Sequence, residues 1–242
     1  MNFKNKTVFI TGVNRGLGKL TFEKFLKEGS NIICTVRKRD IKFNNYLKKI
    51  KKKFNNKIKV LYFDFENRSQ ITNSLGKLKK NLIIDILINN AGFASGSILE
   101  MTKIDDIEKI FKINYFSQLL IIQKLLPFLK KSKNASIINV SSISAFLDHR
   151  GTIAYGSSKS ALSFATKIMA NEFLAYKIRV NAIAPSAIET DMFTKMDKRS
   201  KNKLLKDTNL KKPLKVNSVI KKILFLSSDK SINLNGKIMK KF

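Results

Sequence analysis

The stretch TGVNRGLG, from Thr11 to Gly18, decides the fold. It lies between the apolar run TVFIT and the amphipathic stretch LGKLTFEKFLKEG, whose final glycine is a typical helix end. The glycines let the backbone turn tightly and approach a pyrophosphate, whose charge the helix N-terminus stabilises. A purely structural turn is the alternative, but the position after a first strand predicts a dinucleotide site. The residues predicted to form it here are Gly12, Asn14, Arg15, Gly16, Leu17 and Gly18.

The rest of the chain repeats this order of strand and helix. Short apolar runs alternate with longer amphipathic stretches, which is typical of a parallel β-sheet. No linker rich in Pro, Gly or Ser interrupts the 242 residues, so we expect one α/β domain over residues 1–242. The predicted strands are TVFIT, NIICTV, KVLYFDF, IDILIN, ASIINVSS, RVNAIAP and a short last one near KIM.

One long polar stretch, residues 188–216, has no strand pattern. In an open α/β sheet, an insertion after a late strand usually lies over the carboxyl ends of the strands, where ligands bind. We therefore expect this stretch to form a substrate lid.

The composition is strongly basic, with 48 Lys and Arg against 17 Asp and Glu. This excess would suit nucleic acid, an anionic membrane surface or an acidic protein partner. However, the basic residues are mostly lysines spread over the whole chain, whereas nucleic-acid readers rely on clustered arginine. Lys, Asn, Ile and Phe share A/T-rich codons, so biased genome composition is the favoured explanation, and nucleic acid is not expected as a partner.

The apolar runs also bear on location. None approaches the roughly 20 residues that cross a bilayer, and the N-terminus lacks the apolar stretch of a signal peptide. We expect a cytoplasmic protein without membrane contact. The single cysteine, Cys34, is expected to be a small buried side chain.

The end of the second predicted strand indicates which dinucleotide binds. An acidic residue there would bind the ribose 2′-hydroxyl of NAD, whereas a basic one would accept the 2′-phosphate of NADP. The strand ends CTVRKRD, with Val36 in place of the acid and Arg37 directly after it, and Arg15 adds positive charge. NADP (NADPH) is predicted in preference to NAD. Two solvent-facing arginines are the alternative.

Two side chains four residues apart, Tyr155 and Lys159, share one face of a predicted helix. A free tyrosine, with a pKa near ~10, is a poor acid at neutral pH, but a nearby ammonium lowers that pKa. Upstream, the strand NVSS ends at Ser142, whose hydroxyl can polarise a carbonyl oxygen together with Tyr155. This set predicts proton transfer to a carbonyl without a metal, although Tyr-x-x-x-Lys alone is common by chance.

Taken together, the motifs resemble the short-chain dehydrogenases/reductases. TGVNRGLG, NNAG, Asn114 in KINYF, Ser142 in NVSSISA, YGSSK and NAIAPSAIETDM occur in the order and at the intervals of that family, over essentially the whole chain. The resemblance implies a Rossmann-like, doubly wound parallel sheet of about seven strands with helices on both faces. It also implies a homotetramer or a homodimer.

The resemblance implies roles for single residues. Tyr155 would be the catalytic acid, and Lys159 would lower its pKa and hold the nicotinamide ribose. Ser142 would orient the substrate oxygen, and Asn114 would hold a water in a proton relay. The implied cofactor contacts are Asp64 at the adenine, Asn90 at the ribose, Ile188 and Thr190 at the carboxamide end, and additionally Phe65, Ala91, Gly92 and Pro185.

Three positions depart from the family pattern. Ser186 and Ala145 stand where glycine is usual, which concerns local geometry and not a reacting group. The C-terminal LNGKIMKKF lacks the usual Asp-Gly-Gly ending, which concerns the last turn and a tetramer contact.

Two further features have alternative interpretations. The apolar helix pattern over residues 107–129 predicts a subunit interface, with full burial inside one subunit as the alternative. The single histidine, His149, is expected to be either a solvated loop residue or a substrate contact.

Within the family, the chain looks most like the 3-oxoacyl-acyl-carrier-protein reductases. A basic rim near Lys130, Lys131 and Arg150 would suit an acidic carrier protein. An alcohol or sugar oxidoreductase, for instance one serving surface polysaccharide synthesis, is the alternative within the family. A non-catalytic nucleotide-binding or nucleic-acid-binding protein is the alternative from another class.

Overall fold

The predicted strands assemble into one parallel sheet in the computed structural model, which describes residues 3–189, 191–194 and 196–240. Within those residues the strands are β1 (Thr7–Ile10), β2 (Asn31–Val36), β3 (Ile58–Tyr62), β4 (Ile86–Asn89), β5 (Ala135–Val140), β6 (Ile178–Ala184) and β7 (Ile238–Lys240). Their order across the sheet is β3-β2-β1-β4-β5-β6-β7, and every neighbouring pair is parallel. The predicted α/β fold class is confirmed.

Helices cover both faces of this sheet, as the resemblance implied. The described helices are α1 (Gly16–Lys27), α2 (Ile41–Lys53), α3 (Arg68–Gly76), α4 (Ile104–Phe111), α5 (Ser117–Leu129), α6 (Ile153–Glu172), α7 (Asp191–Thr194), α8 (Lys198–Asp207) and α9 (Val216–Ser227). One apolar core joins α1, α2 and α9 to the sheet, and a second joins α3, α5 and α6 to the opposite face. No helix among the described residues is both long and apolar enough to cross a bilayer.

The strand order brings the predicted motifs to one place. Successive strands run outward from β1 to β3 on one side and from β4 to β7 on the other, so the order reverses between β1 and β4. In doubly wound sheets, the crevice at this reversal lies outside the carboxyl ends and is the usual ligand site. The loops after β1, β4, β5 and β6 all leave the sheet at that edge.

The long apolar helix predicted over residues 107–129 consists of three parts. A π-type turn at Lys112–Phe116 separates α4 from α5 without interrupting the helical path. Its inner face is buried, but Phe116 is 60% exposed, and Phe164 on the neighbouring α6 is 66% exposed. Full burial within one subunit is therefore wrong, whereas the subunit interface stays a prediction.

The polar insertion is tied at its base. Ile188 pairs with Leu214 as an isolated parallel bridge, in which Glu189 N donates to Leu214 O at 3.0 Å and Leu214 N to Ala187 O at 2.7 Å. Between these ends, α8 has no buried residue. The substrate lid over residues 188–216 stays a prediction.

Candidate active site

The glycine-rich loop adopts a conformation that only glycine accommodates easily. Gly12 and Gly16 have φ angles of +71° and +56°. A Cβ atom on Gly18 would lie 2.2 Å from the Gly12 carbonyl oxygen, so a side chain is excluded there. Arg15 begins α1 without a side-chain cap, which leaves the N–H groups of the first turn to an anion.

Hydrogen bonds between residues of the β1 and β4 loops fix this glycine loop. Thr11 Oγ1 accepts from the backbone N–H groups of Asn90 and Ala91, at 2.9 Å each. In return, Asn90 Nδ2 donates to the carbonyls of Thr11 at 2.9 Å and Gly12 at 3.1 Å. The amide nitrogen of Asn90 therefore holds the loop. Thr11 was missed from the sequence, although a small polar residue directly before the first glycine was the available signal.

Arg37, predicted to bind the 2′-phosphate, and Asp64, predicted to contact the adenine, form an ion pair. Arg37 Nε donates to Asp64 Oδ2 at 2.8 Å, and Asp64 Oδ1 accepts from Glu66 N at 3.0 Å. The carboxylate thus fixes the guanidinium beside the carboxyl ends of β2 and β3. Asp64 contacts Nε, so this ion pair leaves the two terminal nitrogens of Arg37 available for another partner.

The remaining cofactor positions differ in exposure. Asn14 and Arg15 are exposed, whereas Leu17 and Phe65 are buried in the two cores. Any contact from these two would therefore come from the backbone; the Phe65 carbonyl already accepts from Ser117 Oγ at 2.5 Å. The carbonyl of buried Pro185 accepts from Ile143 N at 2.9 Å. Thr190 lies outside the described residues.

These features fit a nicotinamide dinucleotide. Gly18 lacks the atom that would fill the turn, α1 presents backbone donors, and Arg37 supplies a held positive charge. The residues that would hold the cofactor are therefore those of the glycine loop, the Arg37–Asp64 pair and the turn after β4.

Ser142 and Tyr155 meet at the end of β5. Ser142 begins a 3-10 turn over Ile143–Ala145, and its Oγ accepts from Ser144 N at 3.2 Å. Its hydroxyl also makes a side-chain hydrogen bond with Tyr155, which lies half-buried in the first turn of α6. Burial raises the pKa of Tyr155, and the hydrogen bond with Ser142 acts in the opposite direction.

Lys159 lies one helical turn after Tyr155 and is only 3% exposed. Its Nζ donates to the Val140 carbonyl at 2.8 Å and lies 5.9 Å from the centre of the Tyr155 ring. Burial lowers the pKa of Lys159 to about 8. The expected lowering of the Tyr155 pKa by this ammonium is not found: burial raises that pKa, and the opposing effect comes from Ser142.

Asn114 lies within the π-type turn and is fully buried. Its Oδ1 accepts from Phe93 N at 2.8 Å, while its Nδ2 donates to Phe93 O at 2.8 Å and to Ser158 Oγ at 3.1 Å. A Cβ atom on Gly92 would lie 3.3 Å from Asn114 Oδ1 and 3.4 Å from Lys159 Nζ. Asn114, Gly92 and Lys159 are therefore brought together, whereas the water relay stays a prediction. Ser158 was missed, although its position between Tyr155 and Lys159 was a signal.

Ser186 and Ala145, which stand where the family usually has glycine, have different surroundings. The Oγ of Ser186 is buried without a hydrogen-bond partner among the described residues. Ala145 fits its turn, since its N–H donates to Ser142 O at 3.1 Å and its carbonyl accepts from Ser160 Oγ at 2.7 Å. Neither position touches Tyr155 or Lys159 in the described contacts.

His149 is not solvated. Its side chain is 11% exposed, and Nε2 lies 2.5 Å from Oδ2 of Asp207, the last residue of α8. The lid therefore contacts the loop that leads from Ser142 to Tyr155. Asp207 was missed, because no sequence pattern pairs residues so far apart.

The predicted basic rim is wrong for two of its three members. Lys130 and Lys131 follow α5 and precede β5, so they lie at the amino ends of the strands, opposite the catalytic edge. Lys130 Nζ lies 3.4 Å from the centre of the Tyr176 ring, and Lys131 Nζ donates to the Lys80 carbonyl. Only Arg150, in the loop before α6, lies near the site.

The fold and the site together define a dinucleotide-binding α/β oxidoreductase. Residues 6–201 match the family model described as short chain dehydrogenase. The 3-oxoacyl-[acyl-carrier-protein] reductase of Thermotoga maritima is 31% identical over 242 residues, which cover 99% of this chain and 97% of that protein. The chain therefore belongs to the short chain dehydrogenase family and is an NAD(P)-dependent oxidoreductase, which sets aside the non-catalytic alternative.

Two further proteins are similar to this chain. The 3alpha-hydroxysteroid dehydrogenase of Mediterraneibacter gnavus is 26% identical over 241 residues, covering 99% of this chain and 96% of that protein. The crystal structure of L-sorbose reductase from Gluconobacter frateurii, complexed with NADPH and L-sorbose, superposes with a TM-score of 0.86 at 23% identity. The superposition covers 99% of this chain and 96% of that chain, and shows a shared fold.

The buried position of Lys159 generates a prediction about its titration. Because its pKa is lowered to about 8, its positive charge should be lost as the pH rises through that value, well before surface lysines near ~10.4 titrate. Lysine side-chain NMR signals recorded against pH measure this, with Lys159→Met identifying the signal by its loss. A midpoint for that signal equal to those of surface lysines would contradict the prediction.

Proposed function

We propose that this protein is an NADPH-dependent reductase that converts a ketone to a secondary alcohol, with a 3-oxoacyl group on acyl carrier protein as the substrate. The observation that carries the reaction type is the Ser142–Tyr155 hydrogen bond with buried Lys159 one turn behind it. The substrate assignment is supported by 31% identity, over nearly the full length, to a protein named for that activity.

The chemistry divides between the cofactor and the side chains. When bound, the nicotinamide supplies a hydride for the carbonyl carbon. Ser142 holds the substrate oxygen by a hydrogen bond, and the Tyr155 phenol transfers its proton to the same oxygen. Because burial raises the pKa of Tyr155, the phenol holds its proton at neutral pH. It would release that proton only to the substrate oxygen, which becomes a stronger base than the phenolate as the hydride reaches the carbonyl carbon.

Lys159 acts after the proton has left. At neutral pH, below its pKa of about 8, it carries a positive charge. Its Nζ lies 5.9 Å from the centre of the Tyr155 ring, close enough to stabilise the phenolate formed by proton transfer. The Val140 carbonyl keeps the ammonium in place through a 2.8 Å hydrogen bond.

An acidic carrier protein would approach from the lid side. Arg150 borders the site, and α8 carries several exposed basic residues. Opposite charge on the carrier would speed its encounter with this edge. Lys130 and Lys131 take no part, since they lie at the other edge of the sheet.

A second candidate is an oxidoreductase acting on another secondary alcohol or on a sugar. It is supported by 26% identity to a protein named as a 3alpha-hydroxysteroid dehydrogenase. Both candidates use the same Ser142, Tyr155 and Lys159, so only the substrate distinguishes them.

The first test measures NADPH oxidation with acetoacetyl carrier protein beside a panel of simple ketones, keto-sugars and 3-oxosteroids. We expect the carrier-bound ketone to give the highest kcat/KM. Tyr155→Phe should lower kcat by about 10²- to 10⁴-fold, because the proton donor is lost, with the NADPH Kd unchanged. Tyr176→Phe, which alters an exposed tyrosine far from the site, is the control.

Two outcomes would contradict this assignment. Wild-type turnover in Tyr155→Phe would remove Tyr155 from its role. A higher kcat/KM for a steroid or a keto-sugar than for the carrier-bound ketone would favour the second candidate.

We infer that NADPH is preferred over NADH because Arg37, oriented by Asp64, would meet the 2′-phosphate. Arg37→Gln should raise the Kd for NADPH by about 10- to 100-fold, since a charge-assisted hydrogen bond contributes roughly 1.5–3 kcal/mol. The Kd for NADH should hardly change. Fluorescence titration of both cofactors measures this, and Arg39→Gln, the same change two residues along, controls for general loss of charge. An equal loss of affinity for both cofactors in Arg37→Gln would contradict the assignment.

We also propose that the protein is a homodimer or homotetramer whose subunits meet through the outer faces of α5 and α6. Exposed Phe116 lies directly before α5 and exposed Phe164 lies on α6, and such apolar surface favours association. Phe164→Glu should shift the molar mass measured by light scattering toward the monomer, because a charge would be buried in the interface. Leu20→Glu, on α1, is the matched control. A monomeric wild type would refute the proposal.

A further inference from the structure

Helix α8 is packed only shallowly: Leu204 and Leu205 are half-buried, and Thr208, directly after the helix, is buried. α8, which forms much of the segment over residues 188–216, has no buried residue. Among the described residues from 196 to 210, the polar contacts other than that of Asp207 stay within the segment, such as Lys201 Nζ to Thr194 O at 2.7 Å. Elements with few buried contacts open locally at low free-energy cost. A contact that reaches outside the segment therefore has a large influence on its position.

That contact is between Asp207 and His149. Nε2 of His149 lies 2.5 Å from Asp207 Oδ2, and this buried nitrogen has no partner with full hydrogen-bond geometry among the described residues. A buried polar atom without a partner is costly, so the imidazole favours the position of α8 that brings the carboxylate to it.

Hydrogen bonds fix the backbone around His149. Its carbonyl accepts from Thr152 N at 3.2 Å and from Thr152 Oγ1 at 2.7 Å, and the Thr152 carbonyl accepts from Gly156 N at 2.6 Å. Gly151, with φ +82°, turns the chain there, and its carbonyl accepts from Ser97 N at 3.0 Å. The backbone of His149 is thus joined to the first turn of α6, which also carries Tyr155.

We propose that His149 and Asp207 form a latch that holds α8 against the loop before the catalytic helix, and so encloses the substrate beside Ser142 and Tyr155. His149 is a positioning residue in this arrangement: it acts through the lid and touches no reacting atom. The proposal rests on the proposed function for the identity of the enclosed substrate, but the closed position of α8 is a property of the protein alone.

The first experiment measures hydrogen–deuterium exchange of α8 in the full-length protein. His149→Ala and Asp207→Asn should each speed exchange of the α8 amides by about tenfold, the factor that corresponds to ~1.4 kcal/mol. The double variant should exchange no faster than either single one, because both changes break the same contact. His149→Gln, which keeps an N–H donor, should restore slow exchange. Asp148→Asn, which removes an exposed carboxylate of the same loop, is the control and should leave α8 unchanged.

Unchanged α8 exchange in both single variants would overturn the latch, and so would additive effects in the double variant. Exchange of the α6 amides is measured in the same samples. It should stay at the wild-type rate, and faster exchange there would instead assign His149 a role in holding the catalytic helix.

A spectroscopic readout follows from the composition. The protein contains a single histidine, so the Cε1–H signal of His149 stands alone in the NMR spectrum. Asp207→Asn should move this signal at constant pH, because a carboxylate 2.5 Å away is removed. A signal at the same position in wild type and variant would overturn the contact.

Kinetics connect the latch to catalysis. With acetoacetyl carrier protein, His149→Ala should raise KM by about tenfold and leave kcat and the NADPH Kd close to wild type, since only substrate enclosure is weakened. A loss of kcat alone would overturn the positioning role. If the wild type reduces no ketone in the panel, the proposed function fails, while the exchange and NMR measurements still decide the latch.

Discussion

The position of the active site depends on the reversal of strand order between β1 and β4. The loops that leave these two strands diverge there, and the hydrogen bonds between Thr11 and Asn90 hold them at a fixed distance. Because β1 and β4 are paired neighbours, the glycine turn and the turn after β4 share one crevice, and these hydrogen bonds fix the spacing of the two turns. A parallel sheet also brings the ends of β5 and β6 to the same edge, so the position of Ser142 follows from the same constraint.

Buried polar groups set the chemistry at that edge. Lys159 and Asn114 are nearly inaccessible to solvent, and backbone groups of Val140 and Phe93 satisfy them. Each of these side chains is therefore pre-positioned by groups that cannot move without disturbing the sheet or its loops. Burial also shifts proton affinity: it keeps Tyr155 protonated and makes Lys159 a weaker base. Burial, more than any one neighbour, thus sets the proton affinity of both side chains.

Most of the fold was predictable from the sequence, because apolar runs mark buried strands. The ends of each predicted strand agree with the observed ends to within a few residues. The close approach of Gly92, Asn114 and Lys159 was predictable only from the order of the motifs. Their separation along the chain does not indicate how far apart they lie in space. Two features were not predictable. The first is the direction in which the Tyr155 pKa shifts, because it depends on burial in the folded protein. The second is the pair of contacts Arg37–Asp64 and His149–Asp207, because each joins segments that are distant in sequence. The basic rim failed for a related reason, because charge near a motif in sequence can lie at the opposite edge of the sheet.

The shallow attachment of α8 has a consequence for how this scaffold can change. A helix with no buried residue contributes little to the free energy of unfolding. Substitutions along it therefore change that free energy only slightly. The catalytic edge, by contrast, tolerates few changes, because its polar groups are buried and mutually constrained. Sequence change can therefore accumulate in α8 at little loss of stability, whereas change at the buried edge is constrained by the core.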